Sequence, residues 1–383
     1  MAILIEKGEV FSPAPIGKAD LLIIGDSIQK VGKINREALA QLDLETEFID
    51  ASDCFIVPGL IDPHEHLLGG SGEEGFSSQT PELHLSEIVC AGITTVIGCL
   101  GVDTTMKTMP GLLARAKALK EEGLSACIWS GGYRVPPTTI TSSIRDDVLF
   151  IEEVIGAGEI AIADERSTDP TAQELARLAN DAYVGGMLSR KAGVTHFHVG
   201  DGKARLGLLR QLIDDFATPP ETIYPTHVAR NEQLLDDAIE LTRRGCFVDI
   251  DTVNEDLQKW LTYYFKHDGD PERLTLSSDA SISSPSNILN QIRECVRNSE
   301  LELAQVLPLV TANTAQVLKL KDRGRLEPKM QADVLVLDRK TLELREVIAR
   351  GRRLVKDGKA AAAEAFIEDS NRWIQLVGKE AQD

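Results

Sequence analysis

The sequence predicts an α/β architecture: a (β/α)8 TIM-like barrel with a small discontinuous β-sandwich domain formed by both chain ends. Three observations carry this expectation. Short β-prone runs alternate with helical patterns through the middle of the chain. Histidines and acids stand at the ends of several of these runs, at intervals that fit barrel units of about 30 residues. Strand-and-turn texture without long helical patterns occurs at both ends.

Taken in order, residues 1–57 read as short strands: Met1 to Ile5, Ala19 to Gly25, Ser27 to Val31 and Glu47 to Asp50. Barrel strands are expected near 55–62, 93–101, 125–133, 158–164, 194–201, 222–228, 246–253 and 274–279. Between them, Met109 to Glu122, Thr171 to Ser189, Gly202 to Phe216 and Asn231 to Arg244 carry apolar residues at three- and four-residue steps, the mark of amphipathic helices. From 325 the strand texture returns in Asp333 to Asp338, Leu344 to Ala349 and Arg353 to Gly358. The expected domains are therefore 1–57 with 325–383, and 58–324.

At 383 residues and 43% hydrophobic content the chain can bury one large core and a small accessory one. A net charge of −19 disfavours binding to a phosphate backbone, which relies on basic surface. Cys54, Cys90, Cys99, Cys127, Cys246 and Cys295 show no C-x-x-C spacing and read as small buried hydrophobes in a reducing compartment. With no signal-like start and no apolar run approaching membrane-spanning length, a cytoplasmic protein without a membrane partner is expected.

Chemistry is concentrated in Gly59-Leu60-Ile61-Asp62-Pro63-His64-Glu65-His66. Alternate residues of a strand share a face, so His64 and His66 point the same way from its end. Two converging imidazoles form half of a zinc-type site, with ligand bonds of about 2.0–2.1 Å; the competing reading is a solvent-facing pair beside a glycine-rich turn. Further strand ends bear His196 and His198, His227, and Asp279. From His66 to Glu159, and on to His198, His227 and Asp279, the intervals read as three, one, one and two barrel units. His196 and His198 share parity, so spacing alone leaves open which of them is a ligand.

These segments, with Gly69 to Glu73, Gly132 to Pro136, Asp164 to Ser167 and Pro225 to Asn231, resemble the amidohydrolase superfamily, and within it the isoaspartyl (β-aspartyl) dipeptidases, over nearly the whole chain. The resemblance implies a dinuclear zinc centre that activates a bridging hydroxide. It assigns His64, His66 and Asp279 to one metal and His198 and His227 to the other, with Glu159 bridging. Asp279 would be base toward the water and acid toward the leaving amine. Tyr133 would polarise the scissile carbonyl. Glu73 matches the residue for the substrate's free α-amino group, Arg166 and Arg230 suit its C-terminal carboxylate, and Ser283 matches a further carboxylate contact.

Two positions depart from the family. Glu159 stands where the familiar dipeptidases have a carboxylated lysine, and its side chain is shorter. Val102 replaces a threonine whose hydroxyl helps hold the substrate's α-carboxylate, and losing a donor to a charged group costs about 1.5–3 kcal/mol. The resulting expectation is a metal-dependent hydrolase of β-aspartyl dipeptides acting as a homo-oligomer with two divalent ions, zinc by donor type. The alternatives are hydrolysis of another small amide, as by a cyclic amidase or an N-acyl-amino-acid deacetylase, and a catalytically silent scaffold of the same fold.

Overall fold

The protein is described by a computed structural model for residues 1–365 except 71, 255 and 363. Ser71 of the glycine-rich segment and residues 366–383 of the expected C-terminal domain lie outside the described residues.

The N-terminal end supplies β1 (Ala2–Phe11), β2 (Pro15–Ile24), β3 (Ser27–Gly32), β4 (Thr46–Asp50) and β5 (Cys54–Pro58). In β1 the pleat sends Ile3 and Ile5 into one buried cluster with Leu21, Ile23 and Ile56. Ala2 and Leu4 enter another with Leu22 and Leu39, the period of two that a strand imposes.

The chain then leaves this sheet. β6 (Leu60–Glu65), β7 (Ile93–Gly98), β8 (Ser125–Ser130), β9 (Val154–Ile162), β10 (Val194–Val199) and β11 (Ile223–Thr226) lie side by side in chain order as a parallel six-stranded sheet. β12 (Val248–Asp251) and β13 (Leu274–Ser277) form a parallel pair. The pair meets both edges of the larger sheet: the Val228 N–H donates to Asp249 O at 3.5 Å, and on the other side the Asp279 N–H donates to His64 O and the His66 N–H to Ala280 O. The parallel sheet is thus curled, with all its C-terminal strand ends on one side. Helices Met109–Glu122, Ala172–Ser189 and Glu232–Arg243 bury apolar stripes that include Leu112, Leu119, Leu175, Leu235 and Ile239.

β14 (Val334–Asp338), β15 (Leu344–Ala349), β16 (Arg352–Lys356) and β17 (Lys359–Ala360) bring the chain back. β14 pairs antiparallel with β5, so both chain ends share one nine-stranded sheet.

Three expectations change. The run expected as one strand over 55–62 is two, broken at Gly59, where the backbone crosses between sheets and a Cβ would stand 2.2 Å from Thr94 Oγ1. The helix expected over 202–216 is confined to Gly207–Asp214. Its start is displaced because Gly202 is tied to the Ala163 carbonyl and Arg205 takes a left-handed φ of 45°. Cys90 is exposed at the end of the helix Leu85–Cys90, whereas Cys99, Cys246 and Cys295 are buried; all six thiols are free.

Candidate metal centre

The curl of the sheet brings the chemistry-bearing strand ends together. His64 lies near the end of β6 with His66 just beyond it, His198 lies in β10, and His227 and Asp279 follow β11 and β13. The last two adopt left-handed φ values of 62° and 47°. Such backbone costs about 1–3 kcal/mol in a non-glycine residue and concentrates at functional sites.

Glu159 reaches the centre through an irregularity of β9. Thr195 pairs with Ala157, but Phe197 pairs with Ile160, so β9 holds one more residue than β10 across this step. Such a bulge re-aims side chains. Gly158, inside it, has a φ of +150°, and a Cβ there would stand 2.8 Å from His196 Cβ. The Glu159 carboxylate, fully buried, consequently lies 3.4 Å from His64 Nε2, 3.6 Å from His66 Nε2, 3.3 Å from His198 Nδ1 and 3.8 Å from His227 Nε2. Asp279 Oδ1 stands 3.4 Å from His64 Nε2 and 3.1 Å from His66 Nε2.

These atoms suit a metal. Both Glu159 oxygens and His64 Nε2 are buried without a hydrogen-bond partner among the described residues. Burying a carboxylate in that state is expensive. The Glu159 separations are long for hydrogen bonds, and all of these separations are near the roughly 3.4 Å expected between two donors sharing a tetrahedral ion at about 2.1 Å. Groups of side chains with this spacing include His64, His66, Cys99 and Glu159; His64, His227 and Asp279; and Glu159, His198 and His227.

Neighbouring groups aim the imidazole lone pairs at this point. His196 Nδ1 lies 3.0 Å from the Tyr224 carbonyl and must donate to it. Burial, reinforced by the charge of His64, holds the His196 pKa well below the ordinary range, so the ring is neutral and its Nε2 accepts from His64 Nδ1 at 3.1 Å. That leaves His64 Nε2 facing Glu159, whose charge outweighs burial and keeps the metal-free ring protonated, so that this nitrogen presents a lone pair to an ion once that proton is given up. His227 Nδ1 donates to Asp251 Oδ2 at 2.8 Å, and His198 Nε2 donates to Asp164 Oδ2 at 2.9 Å. In each case the other nitrogen faces Glu159, the arrangement by which outer partners set ligand tautomer and basicity.

Above the ligands opens a cavity of about 590 Å³ lined by Glu73, Val102, Tyr133, Arg166, Arg230 and Ser283 among others, within the usual range for small-molecule sites. Tyr133 OH lies 2.8 Å from His198 Nδ1. Burial, and then the Glu159 charge, raise the phenol well above its ordinary pKa, so it stays a donor. Arg166 is engaged in a two-point ion pair with Asp164 and donates Nη1–H to Glu73 at 2.8 Å. Its hydrogen bonds, then that of His198, hold the Asp164 carboxyl well below the usual range. Arg230 donates Nε–H to the Val199 carbonyl, with Asp201 4.0 Å from its Nη1. The Ser283 hydroxyl donates to Asp279 O at 3.4 Å. Burial disfavours the Asp279 carboxylate, but the charge of His64 and the bond from His66 outweigh it and hold its pKa below the ordinary range.

The sequence reading passed over Asp251, Asp164 and Cys99 as parts of the centre. Asp251 has a signal: Asp249 and Asp251 alternate with Val248, Ile250 and Thr252 and therefore share one strand face. Beneath the ligands Asp249 accepts from the Thr226, Thr275 and Ser277 hydroxyls. Asp62 accepts the His64 and Ser278 N–H groups, and burial pushes its carboxyl up to about 7.

A curled parallel α/β sheet that gathers histidines and acids from its strand ends around one buried carboxylate has the architecture of the amidohydrolase barrels. No family model matches the chain. It is 38% identical to the β-aspartyl dipeptidase of the thermophilic keratin degrader Fervidobacterium islandicum AW-1; the match covers 94% of this chain and 98% of that one, with a TM-score of 0.90. A second structure from that organism, in complex with β-Asp-Leu dipeptide, matches at 36% identity with the same coverage and a TM-score of 0.88. The chain belongs to the β-aspartyl dipeptidase family of the amidohydrolase superfamily, whose members are hydrolases. Longer curated proteins are also similar: the adenine deaminase of Geobacillus kaustophilus is 22% identical over 93% of this chain. The chain spans 58% of that protein's length and 35% of the length of the Clostridium acetobutylicum dihydroorotase, less than two thirds of either. No described helix is long and apolar enough to cross a membrane.

Proposed function

We propose that this chain is a metal-dependent dipeptidase that hydrolyses the β-aspartyl isopeptide bond of small dipeptides. The observation that carries the reading is the convergence of four imidazoles on the buried Glu159 carboxylate, at the floor of a cavity walled by Glu73 and Arg230, in a family member matching the solved β-Asp-Leu complex over 94% of its length. His64, His66 and Asp279 would hold one divalent ion and His198 and His227 the other, with the Glu159 carboxylate available to both. Imidazole and carboxylate donors suit zinc. When bound, such ions supply a nucleophilic water at neutral pH and a Lewis acid toward the scissile carbonyl.

The chain's own groups do the rest. Asp279, ionised and part-open to the cavity, takes the proton of the attacking water and returns it to the leaving amine. The protonated Tyr133 hydroxyl donates to the carbonyl oxygen as charge develops there. The Nη groups of Arg230 take the dipeptide's C-terminal carboxylate. Arg166, locked to Asp164, holds Glu73 in place for the α-amino group and adds positive potential. Ser283 contributes a hydroxyl to the carboxylate, and Val102 shapes the same wall without a donor.

Residues 58–324 would act as the closed (β/α)8 catalytic barrel, with 1–57 and 325–383 as its β-sandwich companion. The edge hydrogen bonds at Val228, His66 and Asp279 and the pairing of β5 with β14 support this division. A cytoplasmic homo-oligomer is consistent with six free thiols and with the exposed apolar Phe150, Met187 and Leu188.

The test is a panel of β-aspartyl and α-aspartyl dipeptides, hydantoins and N-acyl amino acids offered to zinc-loaded protein. Turnover confined to β-aspartyl dipeptides is expected. Turnover of a cyclic or N-acyl amide with none of β-aspartyl substrates would move the assignment to another small-amide hydrolase, the reading that Val102 favours.

A further inference from the structure

Cys99 follows β7, one residue beyond its end, and is 1% exposed. Its sulfur lies 3.7 Å from His66 Nδ1 and 4.0 Å from His66 Nε2, the nitrogen that faces Glu159. The Sγ atom, one nitrogen each from His64 and His66, and a Glu159 oxygen all lie within 4.8 Å of one another. Two ligands on one ion, a thiolate at about 2.3 Å and an imidazole at about 2.1 Å, stand roughly 3.6 Å apart at a tetrahedral angle and somewhat farther at a wider one. The buried, partnerless His64 Nε2 and Glu159 oxygens point independently to a ligand at this place. Among the described residues, the other five cysteines belong to no such cluster.

We infer that Cys99 is a thiolate ligand of the centre, completing a four-ligand sulfur, nitrogen and oxygen set with His64, His66 and Glu159. Resting on the metal-centre reading above, it makes the two positions unequal. The position at His64 and His66 is closed by protein donors before Asp279 is counted. The position at His198 and His227 has three protein ligands including Glu159, and so has room for water or substrate. Zinc positions closed by four protein ligands are typically structural, and those with three are typically catalytic. The thiolate biases the closed position toward zinc, cobalt or cadmium and away from magnesium, calcium or manganese. On loading, the Cys99 S–H bond, donated to the Glu65 carbonyl with sulfur 3.5 Å from the oxygen, would break; sulfur would keep the electron pair and bond the metal, and the proton would leave to solvent.

The test uses the full chain loaded with cobalt. Wild type should show a thiolate-to-cobalt charge-transfer band in the near ultraviolet, and Cys99→Ser and Cys99→Ala should lose it. Chelator competition should show one metal of each variant held at least about tenfold more weakly, with the other unchanged. Circular dichroism of the metal-free variants confirms that they fold, and cadmium-113 resonance of the wild type gives a second readout of sulfur coordination. A cobalt-loaded wild type without the band, or a Cys99→Ala protein that keeps both metals with wild-type affinity, overturns the inference while leaving the hydrolase reading standing. Failure to bind cobalt at all overturns both. The band together with no β-aspartyl cleavage supports the thiolate and removes the proposed substrate.

Discussion

Removing the partner of His227 separates an outer-group effect from a ligand effect. The His227 ring donates Nδ1–H to Asp251 at 2.8 Å, with 5% and 14% of the two side chains exposed. A hydrogen bond to a charged group contributes about 1.5–3 kcal/mol, against about 0.5–1.5 for a neutral pair. Asp251→Asn keeps the volume and an acceptor but loses the charge, so it should cost about 1–1.5 kcal/mol, or roughly tenfold in affinity for the ion at His227. Asp251→Ala loses the bond entirely and should approach a hundredfold, the upper end for outer partners of metal ligands. Chelator competition followed by elemental analysis reads this directly, and the ion at His64 and His66 should be retained in both variants. The metal-free protein offers a second readout. Burial lowers the His227 pKa, but the charge of Asp251 raises it to about 9, above the ordinary 6.5. Because the folded value is raised, the stabilisation is fully present below about 6.5 and is lost as pH rises through about 9. Thermal melting of metal-free wild type should therefore fall across that window, and Asp251→Asn should flatten the fall. Equal metal retention by wild type and Asp251→Ala would refute the reasoning.

Glu159→Gln should lose one metal and most activity, whereas wild-type activity should not respond to bicarbonate, since Glu159 needs no carboxylation; an unimpaired glutamine variant would refute its bridging role. Arg230→Met should cost on the order of 3 kcal/mol in kcat/KM, with a smaller loss on a dipeptide whose C-terminal carboxylate is amidated; equal losses on both would remove Arg230 from the carboxylate. Val102→Thr should raise kcat/KM for β-aspartyl dipeptides by restoring a hydroxyl on the cavity wall, and an unchanged or lower value would show that the substrate is posed differently.

Much of the site could be read along the chain because it depends on strand parity and unit length. His64 and His66 share a face by simple alternation, and the spacing to His198, His227 and Asp279 follows the barrel repeat. What depends on register between strands could not be read that way. The bulge that brings Glu159 to the ligands exists only in the pairing of β9 with β10. The equivalence of His196 and His198 is broken only by a carbonyl on β11 and a ring on β6, which bind His196 below the ligands. Asp164 and Asp251 act through partners 34 and 24 residues away. The break at Gly59 carries a local signal, the Pro58-Gly59 pair inside the run Phe55 to Ile61, but that pair does not say that the chain changes sheets there. Cys99, in the apolar Ile97-Gly98-Cys99-Leu100, reads as core until the position of His66 is known.

Metal content measured together with turnover tests the central claim most directly. Protein prepared with added zinc should contain roughly two ions per chain. It should cleave β-Asp-Leu, lose that activity to a chelator, and regain it when zinc is returned. A metal ratio near zero, with hydrolysis indifferent to the chelator, would contradict the account.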